Sequence, residues 1–292
     1  MAIEARNLAK EYSGGVWGAV DVSFDASYGE ITVLLGPNGA GKTTTIGMLA
    51  TILRPTRGFA RVGSFDVVRE ARQVRRIIAL CPQDVSVDPN WTPLEAVVGY
   101  LSIRGLSFSE ARKLARYWLE VLDLWSVRNR IARALSGGQR KRIAVAMVLA
   151  SGAPIVFLDE PTVGLDVEGR YRVWRALREF AREGRCIVMT THDMKEAEIL
   201  ADRVVMLSRG RVVAQGSPEE LVSRYRFRYR VIAKGVKSVP SEAPRVLELG
   251  DRTIMYAEDR ETAASLAARV AADSVVIERT GLEDVYLEVA SS

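Results

Sequence analysis

The chain has 292 residues, 48% of them hydrophobic and 26% charged, and it carries a formal net charge of +5. This composition supplies enough apolar residues for a core, which excludes a disordered chain and a collagen-like fibre. The basic excess is small and diffuse, so we expect no nucleic acid partner. The length suits a large domain followed by a small one.

The sequence predicts neither a membrane span nor a secretory signal. Its longest uncharged run, residues 143–158, is interrupted by glycine and proline and is shorter than the roughly 20 residues that cross a bilayer. The N-terminal segment carries Glu4 and lacks an apolar stretch. Cys81 and Cys186 lie in apolar surroundings without CxxC spacing, which predicts two buried thiols. We therefore expect a cytoplasmic protein.

Short apolar runs alternate with segments of helical periodicity along residues 1–224. The runs with strand character are ITVLL (31–35), RIIAL (76–80), IVFLD (155–159), CIVMT (186–190) and VVMLS (204–208). Their alternation with helices predicts an α/β fold with parallel strands covered on both faces. Between residues 93 and 150 apolar residues recur only at helical spacing, as in Leu114, Trp118 and Leu122. This predicts a helical insert at about 84–150.

The pattern changes after residue 224. The segments that follow are RYRFRYRVIA, RVLEL, TIMYA, an alanine-rich stretch at 261–272, SVVIE and LEDVYLEV. Strand-like and helical segments are mixed here, which predicts a small C-terminal α+β domain at 225–292 after a main domain at 1–224. In the last segment Leu282, Val285, Tyr286 and Val289 recur at helical spacing and predict an amphipathic helix.

A phosphate-binding motif follows the first strand. Residues 36–43, GPNGAGKT, match GxxxxGK[ST] between an apolar strand and a helix. The glycines let backbone N–H groups surround an anion, Lys42 adds positive charge for the β and γ phosphates, and Thr43 offers a hydroxyl to Mg²⁺. The predicted nucleotide-binding residues of this P-loop are Gly36, Pro37, Asn38, Gly39, Ala40, Gly41, Lys42, Thr43 and Thr44.

Two carboxylates end the strand IVFLD. Asp159 is predicted to anchor Mg²⁺ together with Thr43, because a metal on such a loop needs an acidic ligand from a neighbouring strand. Glu160 follows immediately and is predicted to be the general base that accepts a proton from the attacking water. The alternative is that Glu160 caps the turn at Pro161.

A glycine-rich turn opens the last predicted helix of the insert. Its residues are Leu135, Ser136, Gly137, Gly138 and Gln139. Taken alone, this turn is either a helix N-cap or a second phosphate site. Together with the P-loop, the IVFLDEP strand, Gln83, GLD at 164–166 and His192 after CIVMTT, it resembles the nucleotide-binding subunit of ABC transporters. The resemblance covers residues 1 to about 224.

The resemblance implies a P-loop NTPase core with a parallel central sheet, an antiparallel β edge and a helical insert. It implies ATP and Mg²⁺ as cofactors, and two ATP-binding subunits, identical or different, that pack head to tail. Residues 135–139 would then bind the partner's ATP, Gln83 would contact Mg²⁺ and the attacking water, and His192 would contact the γ-phosphate. Asp166 would belong to a loop that contacts the second subunit.

The family also implies an aromatic residue that stacks on adenine. Tyr12 is the favoured candidate, and Trp17 is its rival. A separately encoded transmembrane subunit is the other implied partner, which would hold the chain on the inner face of the membrane. The segment 84–100, with Val85, Val87 and Trp91, is expected beside that subunit, or else packed within the insert.

The C-terminal sequence TGLEDVYLEVA resembles a segment of drug-resistance-type exporter ATPases of the daunorubicin-resistance and ABC-2 kind. The expected function is therefore ATP hydrolysis that drives export of a drug, a lipid-like molecule or another substrate. An importer ATPase is the main alternative. DNA-repair ABC ATPases need a longer coiled coil between the motifs, and translation-associated ones have two cassettes. A module that holds ATP without cleaving it would not require Glu160 and His192.

Overall fold

The structure, a computed structural model, describes residues 1–84 and 87–290. The chain forms two compact units, Met1–Gln215 and Gly216–Ser292. The sequence predicts the boundary between the main domain and the C-terminal domain at residue 224. This functional domain boundary stays a prediction.

The first unit contains ten described strands, seven described α-helices and two described 3-10 helices, Trp125–Val127 and Ala132–Ala134. The strands are β1 (Ile3–Glu11), β2 (Trp17–Ala26), β3 (Ile31–Leu35), β4 (Arg57–Val62), β5 (Phe65–Asp66), β6 (Ile78–Cys81), β7 (Ile155–Asp159), β8 (Cys186–Thr191), β9 (Arg203–Ser208) and β10 (Arg211–Gly216). The helices are α1 (Lys42–Leu49), α2 (Ala71–Ile77), α3 (Pro93–Ile103), α4 (Phe108–Val121), α5 (Gly137–Ala150), α6 (Val167–Arg182) and α7 (Met194–Leu200).

These strands form one mixed sheet in the order β5-β4-β1-β2-β10-β9-β3-β8-β7-β6. The neighbours from β9 through β3, β8 and β7 to β6 pair in parallel. At the other side β1 pairs antiparallel with β2 and β4, and β4 pairs antiparallel with β5. All residues of β3, β7 and β8 are buried, as expected for parallel strands with both faces covered. The predicted α/β class and the antiparallel edge are therefore present.

One predicted strand was placed too early. Arg76 and Ile77 belong to the end of α2, and the strand begins only at Ile78. Val74 on α2 is fully buried, so the helix already has a packed face before the strand starts. Arg75 and Arg76 in the last helical turn also interact favourably with the helix dipole. A five-residue apolar run cannot reveal such a junction, because buried helix ends and buried strands look alike in sequence.

The insert is helical, as expected. α3, α4 and α5 each begin with a reciprocal capping box formed by Thr92 and Glu95, Ser107 and Glu110, and Ser136 and Gln139. The buried face of α4 consists of Ala111, Ala115, Trp118 and Leu119.

The segment expected beside a membrane partner has mixed exposure. Val87 is buried and Trp91 is exposed, whereas Val85 lies outside the described residues. The Trp91 ring also packs against α3, because a Cβ added at Gly99 would lie 2.7 Å from Trp91 Cζ3. The alternative of packing within the insert therefore accounts for part of this segment.

The second unit contains α8 (Pro218–Arg224), β11 (Tyr229–Lys234), β12 (Arg245–Leu249), β13 (Arg252–Ala257), α9 (Arg260–Arg269), β14 (Ser274–Arg279) and α10 (Leu282–Val289). Its strands form an antiparallel sheet in the order β12-β13-β11-β14. The predicted strand RYRFRYRVIA was too long, since β11 begins at Tyr229. Tyr225 and Phe227 instead leave the strand and pack with Tyr256 in an aromatic cluster.

The final helix has a polar residue in its buried face. Leu282 and Val285 are buried as expected, but so is Asp284. Tyr256 donates a hydrogen bond to Asp284 Oδ1 at 3.0 Å, and Arg230 Nη1 lies 3.2 Å from the same oxygen. Burial and the nearby Asp284 carboxylate raise the pKa of Tyr256, so its hydroxyl stays a donor at neutral pH.

Both cysteines are free and buried, as predicted. Burial raises the pKa of Cys81 to about 11 and that of Cys186 to about 12, so both remain uncharged thiols at neutral pH. Throughout residues 1–84 and 87–290, no helix has both the length and the apolar character needed to cross a membrane.

Candidate functional site

The P-loop leads from β3 into the N-terminus of α1. Gly41, the N-cap residue, has φ 101°, a left-handed conformation that glycine adopts without strain. A Cβ at this position would also lie 2.6 Å from the backbone oxygen of Gly18. No side chain caps this helix. Its first N–H groups therefore face the cleft described next, where an anion could bind them.

A cleft of about 420 Å³ lies at this helix end. It is lined by Tyr12, Val16, Trp17, Gly18, Asn38, Gly39, Gly41, Lys42, Thr43, Thr44, Gln83 and Glu160. The structure thus brings the predicted aromatic residues, most of the P-loop and two predicted catalytic residues to one place. Gly36 and Pro37 contribute their carbonyl oxygens, which accept hydrogen bonds from Lys42 Nζ at 2.8 and 3.1 Å. The amide of Ala40 donates to Pro37 O and closes the loop.

The Glu160 carboxylate contacts side chains from three separate parts of the chain. Only 5% of this residue is exposed, and Lys42 Nζ lies 3.5 Å from its Oε1. Gln83 Nε2 donates to its Oε2 at 3.3 Å, and His192 Nδ1 lies 3.3 Å from its Oε1. These contacts join the P-loop, the segment after β6 and the segment after β8. None of the three contacting residues belongs to the turn at Pro161.

Asp159 lies beside Glu160 at the end of β7 and is 2% exposed. Its Oδ1 accepts a hydrogen bond from the hydroxyl of Thr190. Among the described residues, its Oδ2 receives no hydrogen bond. One oxygen is thus fixed by the protein and the other remains available to a cation.

The donor set suits Mg²⁺. This ion prefers oxygen ligands and is commonly held by one or two carboxylates together with substrate phosphates. Asp159, the Thr43 hydroxyl and the Gln83 amide oxygen are such ligands, and Thr43 and Gln83 both line the cleft. In the part of the chain that the structure describes, no group of three or more His, Cys, Asp or Glu side chains could hold a metal. A bound Mg²⁺ would therefore need nucleotide oxygens to complete its coordination.

The two aromatic candidates have different surroundings. The Tyr12 hydroxyl lies 3.1 Å from Thr44 Oγ1, and a Cβ added at Gly18 would lie 2.5 Å from Tyr12 Cε2. The Trp17 ring is covered by the Arg57 guanidinium at 5.2 Å from the ring centroid. Lys10 Nζ likewise lies over the Tyr12 ring, 5.9 Å from its centroid, so a cation covers one face of each ring. What distinguishes Tyr12 is its contact with Thr44 of the P-loop.

The glycine-rich turn at residues 135–139 caps α5. Gln139 N donates to Ser136 Oγ at 3.1 Å, and Ser136 N donates to Gln139 Oε1 at 3.0 Å. Gly137 is exposed, and a Cβ there would meet no atom within 4 Å. Among the described residues that line the 420 Å³ cleft, none belongs to this turn. One chain therefore does not bring the turn and the P-loop together.

His192 directly follows β8, and Asp166 lies in the segment between β7 and α6. His192 lines a second cavity of about 200 Å³ together with Gly164 and Leu165. Asp166 caps α6, accepting from Gly169 N at 2.8 Å, and it is exposed. Among the hydrogen bonds of the described residues, the one with Glu160 alone links His192 to the nucleotide cleft.

Sequence reasoning missed two buried polar residues. Thr190 bonds to both Asp159 and Glu160, and a polar residue at the end of a buried strand was the signal. Glu196, 1% exposed, accepts from Thr162 Oγ1 at 2.6 Å and Trp174 Nε1 at 2.7 Å. Its partners are distant in sequence, so no local pattern points to them.

Comparison with known proteins identifies the family. The sequence profile of the family described as ABC transporter matches residues 19–163. The chain is 41% identical over 223 residues to the daunorubicin/doxorubicin resistance ATP-binding protein DrrA of Streptomyces peucetius, covering 76% of this chain and 67% of that protein. The chain belongs to the ATP-binding family of ABC transporters.

Two further ABC proteins support this assignment. The Nod factor export ATP-binding protein I of Burkholderia orbicola is 37% identical, covering 75% of this chain and 72% of that protein. A solved ATP-binding cassette, dimeric and bound to ADP and Pi in a post-hydrolysis state, superposes with a TM-score of 0.68 at 28% identity, covering 74% of this chain and 98% of its own. As an ABC ATPase, the chain binds and hydrolyses ATP. The predicted fold class and activity are confirmed.

Proposed function

We propose that this ABC ATPase binds MgATP in the cleft beside α1 and uses Glu160 as its general base. The observation that carries the proposal is the position of the Glu160 carboxylate, buried and within 3.5 Å of groups from Lys42, Gln83 and His192. A base held among a phosphate-binding lysine and two polar side chains lies where an attacking water has to be activated.

In this mechanism the phosphates of ATP bind the N-terminal N–H groups of α1 and attract Lys42 away from Glu160. Glu160 then accepts a proton from water as the water oxygen attacks the γ-phosphorus and the bond to ADP breaks. Gln83 and His192 orient the water and the γ-phosphate. Thr43, Asp159 and Gln83 hold Mg²⁺, which neutralises phosphate charge when bound. Tyr12 stacks on the adenine.

We further propose that the turn at residues 135–139 binds the ATP of a second ATP-binding subunit, identical or different. The separation of this turn from the P-loop cleft within one chain supports this, as does its exposed Gly137. The solved cassette at 28% identity is dimeric. Asp166, exposed at the start of α6, contacts the second subunit in this arrangement.

The proposed role is export through a separate membrane subunit that holds the ATPase on the cytoplasmic face. Similarity to proteins named for drug resistance and for Nod factor export supports this direction of transport. The substrate is then a drug, a lipid-like molecule or another exported compound. ATP-dependent uptake of such a compound into inverted vesicles carrying both subunits tests it, and accumulation only in right-side-out vesicles would favour the importer alternative.

Glu160→Gln tests the chemical step. The amide keeps the shape of the side chain but cannot accept the proton, so turnover should fall by about 10²-fold or more. ATP should still bind, and a stable ATP-bound dimer should accumulate in size-exclusion chromatography with MgATP. Undiminished turnover by this variant would exclude Glu160 as the base.

A further inference from the structure

Thr190 joins the two carboxylate residues of the site through a single hydroxyl. It lies in β8, directly opposite Asp159 in the parallel pairing with β7, and it is fully buried. Its Oγ1 bonds to Asp159 Oδ1 and lies 2.9 Å from the backbone nitrogen of Glu160. No other hydroxyl in the described part of the chain contacts both residues.

The direction of these two bonds is determined by their partners. The Glu160 N–H can only donate, so the Thr190 oxygen accepts there. The Asp159 carboxylate accepts, so the single hydroxyl hydrogen points to its Oδ1. This bond is charge-assisted and fixes the orientation of the carboxylate. It leaves Oδ2 free for another ligand, because among the described residues that oxygen receives no hydrogen bond.

The second bond holds an unusual backbone conformation. Glu160 has φ 48°, in the left-handed region that residues other than glycine rarely adopt. Such a conformation persists only where surrounding contacts impose it. Thr190 supplies one of these contacts by accepting from the Glu160 N–H. This backbone conformation places the Glu160 carboxylate among Lys42, Gln83 and His192.

We propose that Thr190 is a positioning residue for both acidic residues of the site. It orients Asp159 toward Mg²⁺, and it fixes the backbone conformation that presents Glu160 to the water. The inference rests on the proposed roles of those two residues. The adjacent Thr191 has a different role, because its Oγ1 accepts from Asp193 N at 3.0 Å. As a β-branched residue in a strand, threonine also restricts the rotamer that holds the hydroxyl in place.

Thr190→Val and Thr190→Ser separate the hydroxyl from the shape of the side chain. Valine keeps the volume and loses the hydroxyl, whereas serine keeps the hydroxyl. Thr32→Val is the matched control, since Thr32 is equally buried in the neighbouring strand β3 and its Oγ1 has no hydrogen-bond partner among the described residues. The three variants thus make comparable changes within one sheet.

Two quantities are measured in each variant. The first is steady-state ATP turnover. The second is the ratio of ADP dissociation constants in EDTA and in excess Mg²⁺, determined by titration calorimetry. This ratio reports metal coordination without requiring the chemical step.

For Thr190→Val we expect turnover about 10- to 100-fold lower and a metal-dependent ratio reduced about fivefold, since a charge-assisted hydrogen bond is lost. Its ADP affinity in EDTA should remain within about twofold of the wild type, because the P-loop contacts are unchanged. Thr190→Ser should recover both quantities to within about threefold, and Thr32→Val should match the wild type.

The inference would be overturned if Thr190→Val kept the wild-type turnover and the wild-type ratio of ADP dissociation constants in EDTA and in Mg²⁺. Equal losses in the valine and serine variants would also overturn it, since they would indicate a packing role. Circular dichroism checks that each variant is folded. Should the valine variant fail to fold, Thr190→Cys carries the same comparison, because a thiol fills the space but bonds weakly. A normal Thr190→Val alongside an inactive Glu160→Gln refutes only this inference, whereas an active Glu160→Gln refutes the proposed function itself.

Discussion

Two helices of the first unit begin in glycine-rich sequence, yet their N-termini are built differently. At α1 the N-cap is Gly41, and no side chain bonds to the first N–H groups. At α5 the side chains of Ser136 and Gln139 form a reciprocal capping box with each other's backbone. The first terminus faces a cleft that its own chain lines, whereas the second is exposed at Gly137.

The difference teaches how one chain can contain two kinds of phosphate site. An uncapped terminus leaves N–H groups unsatisfied, so it depends on an anion and on the nearby Lys42. A capped terminus is stable without a ligand, so it is already ordered when a phosphate bound to another subunit approaches it. In this view α1 forms the resident ATP site and α5 completes the site of the partner.

Among the substitutions that test the comparison of α1 with α5, Ser136→Arg should have the largest effect on turnover and dimerisation. The substitution puts bulk and an extra positive charge at the α5 terminus and removes the cap, while the P-loop is unchanged. We expect turnover and ATP-dependent dimerisation to be lost, whereas ATP binding by the single chain is kept. Thermal-shift titration and analytical ultracentrifugation measure the two properties. Loss of ATP binding by the monomer would contradict separate sites.

Mixing the Ser136→Arg and Lys42→Ala variants tests directly whether each ATP site is built from two chains. A heterodimer of the two variants contains one composite site with both defects and one with none. If one intact site can turn over, mixing should restore part of the activity that neither variant has alone. Each variant mixed with itself is the control, and an absence of recovery combined with proven heterodimer formation would argue against a site built from two chains.

Lys42→Ala should mainly affect affinity. Removing the ammonium deletes a charge-assisted contact of about 1.5 to 3 kcal/mol with the phosphates, so nucleotide affinity should fall roughly 10- to 150-fold. The loss of the Glu160 ion pair complicates the interpretation, because the buried carboxylate then lacks its cation. Lys42→Ala combined with Glu160→Gln resolves this. Equal stabilisation by MgATP in mutant and wild type would exclude the P-loop as the binding site.

Local sequence patterns were sufficient for the centre of the fold and for the P-loop. The strands β3, β7 and β8 are continuous apolar runs because both of their faces are covered, and that signal is strong. GxxxxGK[ST] is equally local, since its glycines, lysine and hydroxyl act within a few residues of each other. Such features can be predicted because neighbours in sequence are neighbours in space.

Features that depend on long-range pairing could not be predicted. The bond between Thr190 and Asp159 exists because β7 and β8 pair in one register, and no local pattern specifies that register. The left-handed turn at Glu160 and the buried Asp284 on α10 are of the same kind. Polar residues at such positions look like surface residues in sequence, and only their tertiary partners reveal their burial.

Gly137→Ala should have the smallest effect on stability and gives the sharpest test of the comparison. A Cβ at this position meets no atom within 4 Å, so the methyl group fits the single chain without strain. Alanine also restricts the unfolded chain more than glycine does, which should stabilise the protein by about 0.4 to 1 kcal/mol and raise Tm by about 1 to 4 °C.

Turnover by Gly137→Ala should nevertheless fall, because the methyl group occupies space that the partner's phosphate must approach. The two measurements then move in opposite directions, which a purely structural N-cap cannot produce, since a more stable helix would leave activity unchanged. ATP affinity of the single chain should stay at the wild-type value and serves as the control for the P-loop. A variant that is both more stable and fully active would show that α5 is only a capped helix and that the phosphate site at its N-terminus does not exist.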